Sequence, residues 1–186
     1  MTDEEAVLAW IENRREDLIE FVLEFGNVPS PRGQEGAAGR YLRDWLAEQG
    51  LDAQRQQVVG ARANVVATVP GDRGAGGSDL IVNGHIDTAH GRPDERIDGE
   101  TPRAYTEAWR EGEFLKGDDV ANDKGPLAAG IFAALALERT GVAIEGDLHL
   151  AGTVGEIAGT TVDEYRDRER YAGTGLGTRR LVESGL

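Results

Sequence analysis

The segment that most restricts the fold of this chain is 125–140, which reads as a helix with almost no polar side. Leu127, Ile131, Phe132, Leu135 and Leu137 point in several directions around it, and alanines fill many of the other positions. A helix that is apolar all round cannot rest on a surface. It has to be covered, and a β-sheet is the natural cover in a small globular chain. Pro126 suits its first turn, where the missing N–H is not needed.

The remaining elements are arranged to supply that cover. Thr2 and Glu5 have the spacing of a capping box. Val7, Leu8, Ile11, Leu18, Ile19, Val22 and Leu23 then recur at helical spacing and predict one helix to about Glu24. Pro and Gly make 27–33 a turn. A second amphipathic helix covers 34–48 and stops at Gly50. Two short β-like pieces lie in 58–69, around Gly60 and Asn64, and 71–77 is a tight Gly-rich turn. Leu80-Ile-Val-Asn-Gly-His85 reads as a buried strand, 91–113 as a polar irregular loop, and 147–154 as a strand. The stretch 163–170 is too charged to be core, and 176–184 begins a last helix. The order α-α-β-β-β-loop-α-β predicts an α/β fold with a mixed β-sheet flanked by helices. At 186 residues, without repeat or linker, one domain is expected.

Charge removes several classes of partner. The net charge is −14, so nucleic acid and an anionic membrane surface would both repel the chain. No apolar run reaches the roughly 18 residues needed to span a bilayer. The first residues are acidic where a signal peptide is basic, so a cytoplasmic location is expected. Only Lys116 and Lys124 are lysines among 20 basic side chains. Few lysines with excess Asp and Glu suit a surface kept soluble in concentrated salt; an acidic cytosolic protein from a GC-rich genome would look similar. There is no cysteine, so disulfides and thiolate metal sites are excluded. A metal would need His, Asp, Glu, Asn or backbone oxygen.

Three short segments carry candidate chemistry. In extended chain, residues i and i+2 share a side, so His85 and Asp87 in Gly84-His-Ile-Asp-Thr88 face one site together. An imidazole binds zinc through one nitrogen, and a carboxylate on its other N–H fixes the tautomer. The motif falls at the carboxyl end of a strand, where ligand sites of α/β folds collect. A chance His-x-Asp with an ordinary hydrogen bond is the plainer reading of this segment alone. Gly117-Asp-Asp-Val-Ala-Asn-Asp-Lys-Gly125 places three aspartates and an asparagine ahead of the buried helix. A helix N-terminus favours acidic side chains, so a capped turn would also explain it. Val120 and Ala121 break the alternation that a calcium loop requires. The third segment is Gly155-Glu156-Ile157, at the end of the last strand, where a single Glu is by default a surface residue.

In order, strand-Gly-His-x-Asp-Thr, a loop with Asp-Lys-Gly opening a helix, and strand-Glu resemble the M20 metallopeptidase and amidohydrolase family. That family includes acetylornithine deacetylases, succinyl-diaminopimelate desuccinylases, aminoacylases and glutamate carboxypeptidases. Val28-Pro-Ser-Pro-Arg-Gly33 with Glu35, the strand Arg62-Ala-Asn-Val-Val-Ala67, and Glu111-Gly-Glu-Phe-Leu-Lys-Gly117 extend the likeness over nearly the whole chain. The resemblance implies a zinc-exopeptidase catalytic domain, here truncated to its N-terminal part. It also implies two zinc ions, with cobalt or manganese as alternatives, and hydrolysis of an amide bond in N-acyl amino acids or small peptides. His85 would bind one metal and Asp87 would orient that imidazole. The position before Asp-Lys-Gly would bridge the metals, and a Glu pair would supply a general base and a further ligand.

The chain departs from that pattern in three places. Its bridging position is Asn122, a neutral amide, with Asp123 as a possible substitute one residue on. The Glu pair is reduced to Glu156, which is either the base or the metal ligand. The lid domain and closing His of the family are not present, so the isolated chain is expected to be inactive and metal-poor, completed by a missing C-terminal half or partner subunit. His90 and His149 do not replace that His in motif terms. Arg92, Arg96 and Arg103 could pair a substrate carboxylate, though surface solvation is the plainer reading of them. The rival readings are a non-enzymatic module that keeps the fold to bind a peptide or partner, and a nucleotide site at Gly173-Thr-Gly-Leu-Gly177. The nucleotide site lacks the apolar strand it would need.

Overall fold

The structure, a computed structural model, describes residues 1–72, 74, 76–89, 103–105, 107–157 and 175–186, the side chain of residue 105 excepted. His90, Arg92, Arg96 and the charged stretch 163–170 lie outside the described residues, as do Gly173 and Thr174 of the glycine-rich segment.

The first helical stretch is two helices, α1 (Asp3–Asn13) and α2 (Arg15–Gly26), where one was expected. The break is at Arg14, whose φ of −111° and ψ of 17° leave the helical region. The sequence explains it. The apolar stripe lapses between Ile11 and Leu18, and Glu16 and Asp17 suit the positive first turn of a new helix. Thr2 forms the expected capping box with Glu5. α3 (Gly36–Glu48) follows, then a β-hairpin of β1 (Asp52–Val59) and β2 (Arg62–Val69). The expected β-pieces began only at residue 58. The polar Asp-Ala-Gln-Arg-Gln-Gln run hid most of β1, a strand with little of its surface buried.

β3 (Leu80–His85) and β6 (Leu148–Thr153) complete a four-stranded sheet in the order β1-β2-β6-β3. β1, β2 and β6 pair antiparallel, and β3 lies parallel to β6. The sheet is therefore mixed, as expected. A small hairpin of β4 (Trp109–Glu111) and β5 (Phe114–Lys116) stands apart, its first strand inside the stretch expected to be irregular. α4 (Gly125–Thr140) is the apolar helix, and α5 (Leu176–Glu183) comes last.

α4 is covered on two sides. One side packs on the sheet, close enough that a Cβ on Gly130 would lie 2.6 Å from Val82 Cγ1. The other meets α2 and α3 through aromatic rings: Phe21 stacks on Trp45 at 3.9 Å and lies 6.1 Å from Phe132. Burying rings of this kind contributes about 1.5–3 kcal/mol each. α5 takes the other face of the sheet. Val65 points towards α3, while its neighbour Asn64 hydrogen-bonds Gly177 of α5. No helix among the described residues is long and apolar enough to cross a membrane.

Candidate metal centre

Because β3 and β6 are parallel, their carboxyl ends emerge side by side, with His85 opposite Thr153. The Ile86 N–H donates to Thr153 O at 2.8 Å, which keeps the two chains together past the strands. Ile86 is fully buried in the core, so the residues flanking it turn towards the sheet edge.

His85 lies at the centre of the site. Its Nε2 is 3.1 Å from Asn122 Oδ1 and 3.5 Å from Glu156 Oε2. Its Nδ1 is 2.9 Å from the carbonyl oxygen of Asp87. With the Nδ1 proton donated to that carbonyl, the Nε2 lone pair faces two oxygens, and three electron-rich atoms converge. Two ligands of one tetrahedral zinc stand about 3.3 Å apart, given bonds of about 2.0–2.1 Å. The two observed separations fall on either side of that value. The imidazole nitrogen is thus spaced from the amide oxygen, and from the carboxylate, as two ligands of one divalent cation would be.

Asn122 is set by the loop between β5 and α4. Its neighbour Asp123 faces the other way and accepts the His85 backbone N–H through Oδ2 at 3.2 Å. Of the two candidates for the bridging position, Asn122 is therefore the one that meets the imidazole ring. A Cβ on Gly84 would lie 2.8 Å from Leu127 Cβ and 2.9 Å from Asp123 Oδ2, so glycine permits this approach of loop to strand. The loop is pinned from below by Lys124, which is fully buried. Its Nζ donates to Asp119 Oδ2 at 2.6 Å and Val28 O at 2.7 Å, and sits 5.1 Å from the centre of the Phe25 ring. Burial pulls the Lys124 pKa down against the attraction of Asp119. Burial likewise raises that of Asp119 against the Lys124 charge.

Glu156 follows a turn at Gly155, where φ is 75°. A Cβ there would meet Leu176 Cβ at 2.9 Å and Arg62 Nη2 at 3.0 Å, so this position takes no side chain and, of residues 155 and 156, it is Glu156 that reaches His85. Asn64 holds the start of the turn: its Oδ1 accepts from Val154 N and its Nδ2 donates to Gly177 O. Arg62 pairs with Glu35 through two bonds of 2.7 and 2.8 Å, both side chains being buried. These supports were visible in the sequence only as likeness to a family pattern; their polar character gave no sign of burial.

Asp87 behaves differently from the expectation of a carboxylate brace on His85. Its Oδ1 is 3.8 Å from His85 Nδ1, too far for a hydrogen bond. The brace comes from its backbone carbonyl, and its carboxylate instead accepts the N–H groups of Glu156 and Ile157 at 3.2 and 2.8 Å.

Other candidates lie elsewhere. His149 Nδ1 is 2.9 Å from Thr68 Oγ1 on the sheet face. With Asp79 and Asp147 it forms a group whose donor atoms lie within 4.8 Å of one another, at the opposite end of β3 and β6 from His85. Arg103 Nε donates to Glu107 at 2.7 Å, and its guanidinium lies 4.4 Å from the centre of the Trp109 ring.

Known proteins share this mixed sheet and its flanking helices. The chain is 34% identical over 158 residues to N-formyl-4-amino-5-aminomethyl-2-methylpyrimidine deformylase of Halalkalibacterium halodurans, a match covering 83% of this chain and 36% of that one. The fold matches the di-peptidase Dug1p of Saccharomyces cerevisiae with a TM-score of 0.64 at 16% identity, over 84% of this chain and 36% of that one. It also matches a dinuclear metal-binding peptidase of the M20 family from Bacillus subtilis, with a TM-score of 0.55 at 17% identity, over 94% and 40% of the two chains. No family model matches the chain. The chain belongs to the M20 family of hydrolases. It spans about a third of the length of the curated relatives it matches.

Proposed function

We propose that this chain supplies one wall of a divalent-metal centre, with zinc as the ion, that hydrolyses an amide bond in small N-acyl amino acids or peptides. The observation that carries this reading is the meeting of His85 Nε2, Asn122 Oδ1 and Glu156 Oε2 at the carboxyl end of β3. A bound cation supplies Lewis acidity to the amide carbonyl and lowers the pKa of a bound water. The chain's own residues do the rest. His85 presents a lone pair whose direction is fixed by the Asp87 carbonyl, and Asn122 adds a neutral oxygen. Glu156, whose side chain is 52% exposed, either joins them as a ligand or takes the proton of the attacking water and hands it to the leaving amine.

Three donors leave a coordination position open for substrate or water. The donors for a second cation and the rest of the substrate pocket would come from a partner subunit or a longer chain, in keeping with the one-third coverage of the relatives. Zinc titration by calorimetry tests this. His85→Ala should weaken zinc binding by about 100-fold or more, since losing a ligand costs more than losing an outer partner. A non-enzymatic module for a peptide or partner, the reading favoured by the neutral Asn122, would barely respond to that substitution. Glu156→Gln separates its two roles: a ligand's loss weakens zinc binding, while a base's loss leaves binding intact and removes hydrolysis in the completed enzyme. The 186-residue chain alone should hydrolyse no amide substrate; zinc-dependent hydrolysis by it would overturn the incomplete site.

A further inference from the structure

We infer that the Asp87 carboxylate is the anchor of the Glu156 turn, and that His85 is held by the backbone of residue 87 instead. Asp87 is fully buried, and each of its oxygens has a backbone N–H to accept. Those two N–H groups belong to consecutive residues, Glu156 and Ile157, so the carboxylate grips the chain at the point where the Glu156 side chain leaves it. The imidazole makes no hydrogen bond to this side chain. Its Nδ1 is satisfied at 2.9 Å by the Asp87 carbonyl, which every substitution at 87 retains, while the nearer carboxylate oxygen stands off at 3.8 Å.

The geometry divides two jobs between two groups of one residue. The carbonyl sets the tautomer and direction of the His85 ring. The carboxylate sets where Glu156 stands relative to that ring, across a sequence separation of 69 residues. Glu156 needs such a hold, because about half of its side chain is open to solvent, at 52% exposure. Asp87 is thus a positioning residue for Glu156. The inference deepens the metal-centre reading and rests on it only for what Glu156 then does.

The test needs no metal and no activity. In the 15N-labelled chain without zinc, amide hydrogen exchange at Glu156 and Ile157 is followed together with the imidazole 15N shifts of His85. In Asp87→Ala, exchange at both amides should accelerate by about tenfold or more, since each loses a bond to a charged acceptor. The His85 tautomer, protonated on Nδ1, should not change. Asp87→Asn is nearly isosteric and covers the case in which the alanine variant does not fold. Its single oxygen acceptor should keep one of the two amides slow and release the other. Unchanged exchange at both amides, or a shift of the His85 proton to Nε2 in either variant, would overturn the inference. A failed metal-centre reading would show separately, as zinc binding indifferent to His85→Ala.

Discussion

At Asn122 the chain offers His85 Nε2 a neutral oxygen at 3.1 Å, where the M20 pattern places a carboxylate. A carboxylate there would add a negative charge next to the cation without changing the shape of the side chain. Asn122→Asp is therefore expected to tighten zinc binding by about tenfold or more, because opposite charges at contact distance in a partly buried site are weakly screened. Competition of the variant and parent for a chromophoric chelator would read the change. Equal affinities would mean that residue 122 does not touch the ion. The sequence made this residue legible through its place before Asp-Lys-Gly. It could not show that Asp123 turns its carboxylate to the His85 backbone, since that contact exists only once the loop is folded against β3.

Among the elements, those legible from sequence were the ones whose burial is strongly patterned. α4 declared itself by having no polar side, and β3 and β6 by apolar runs ending in chemistry-bearing residues. The break at Arg14 and most of β1 were not legible, because helical spacing resumes after a gap and an edge strand made of Gln and Arg resembles a loop. The loop before α4 stands on a buried ion pair between Lys124 and Asp119, which neither the capped-turn nor the metal-loop reading of its acidic residues foresees. Asp119→Asn leaves the Lys124 ammonium buried beside Phe25 without a counter-charge, a change expected to cost about 3–5 kcal/mol. Urea unfolding would measure it. A cost below about 1 kcal/mol would mean that the pair is solvated like a surface bridge.

On the scale of the whole molecule, charge and the open edge of the sheet pull in opposite directions. Among the described residues β3 pairs with β6 alone and is an edge strand of the sheet. Leu80 is 61% exposed and Ile81 38% exposed along it. An unpaired apolar strand is a template for another chain. The net charge of −14 keeps copies apart at low ionic strength, and salt screens that repulsion within about 10 Å at 0.1 M. Sedimentation of the isolated chain should therefore show self-association that grows with salt and is suppressed by Ile81→Lys. Salt-independent monomers would exclude the edge as a contact. The strand that carries His85 to the centre is thus also the chain's adhesive margin. Any preparation that keeps this protein dispersed by masking that margin will be handling the far end of the strand that carries His85 at the same time.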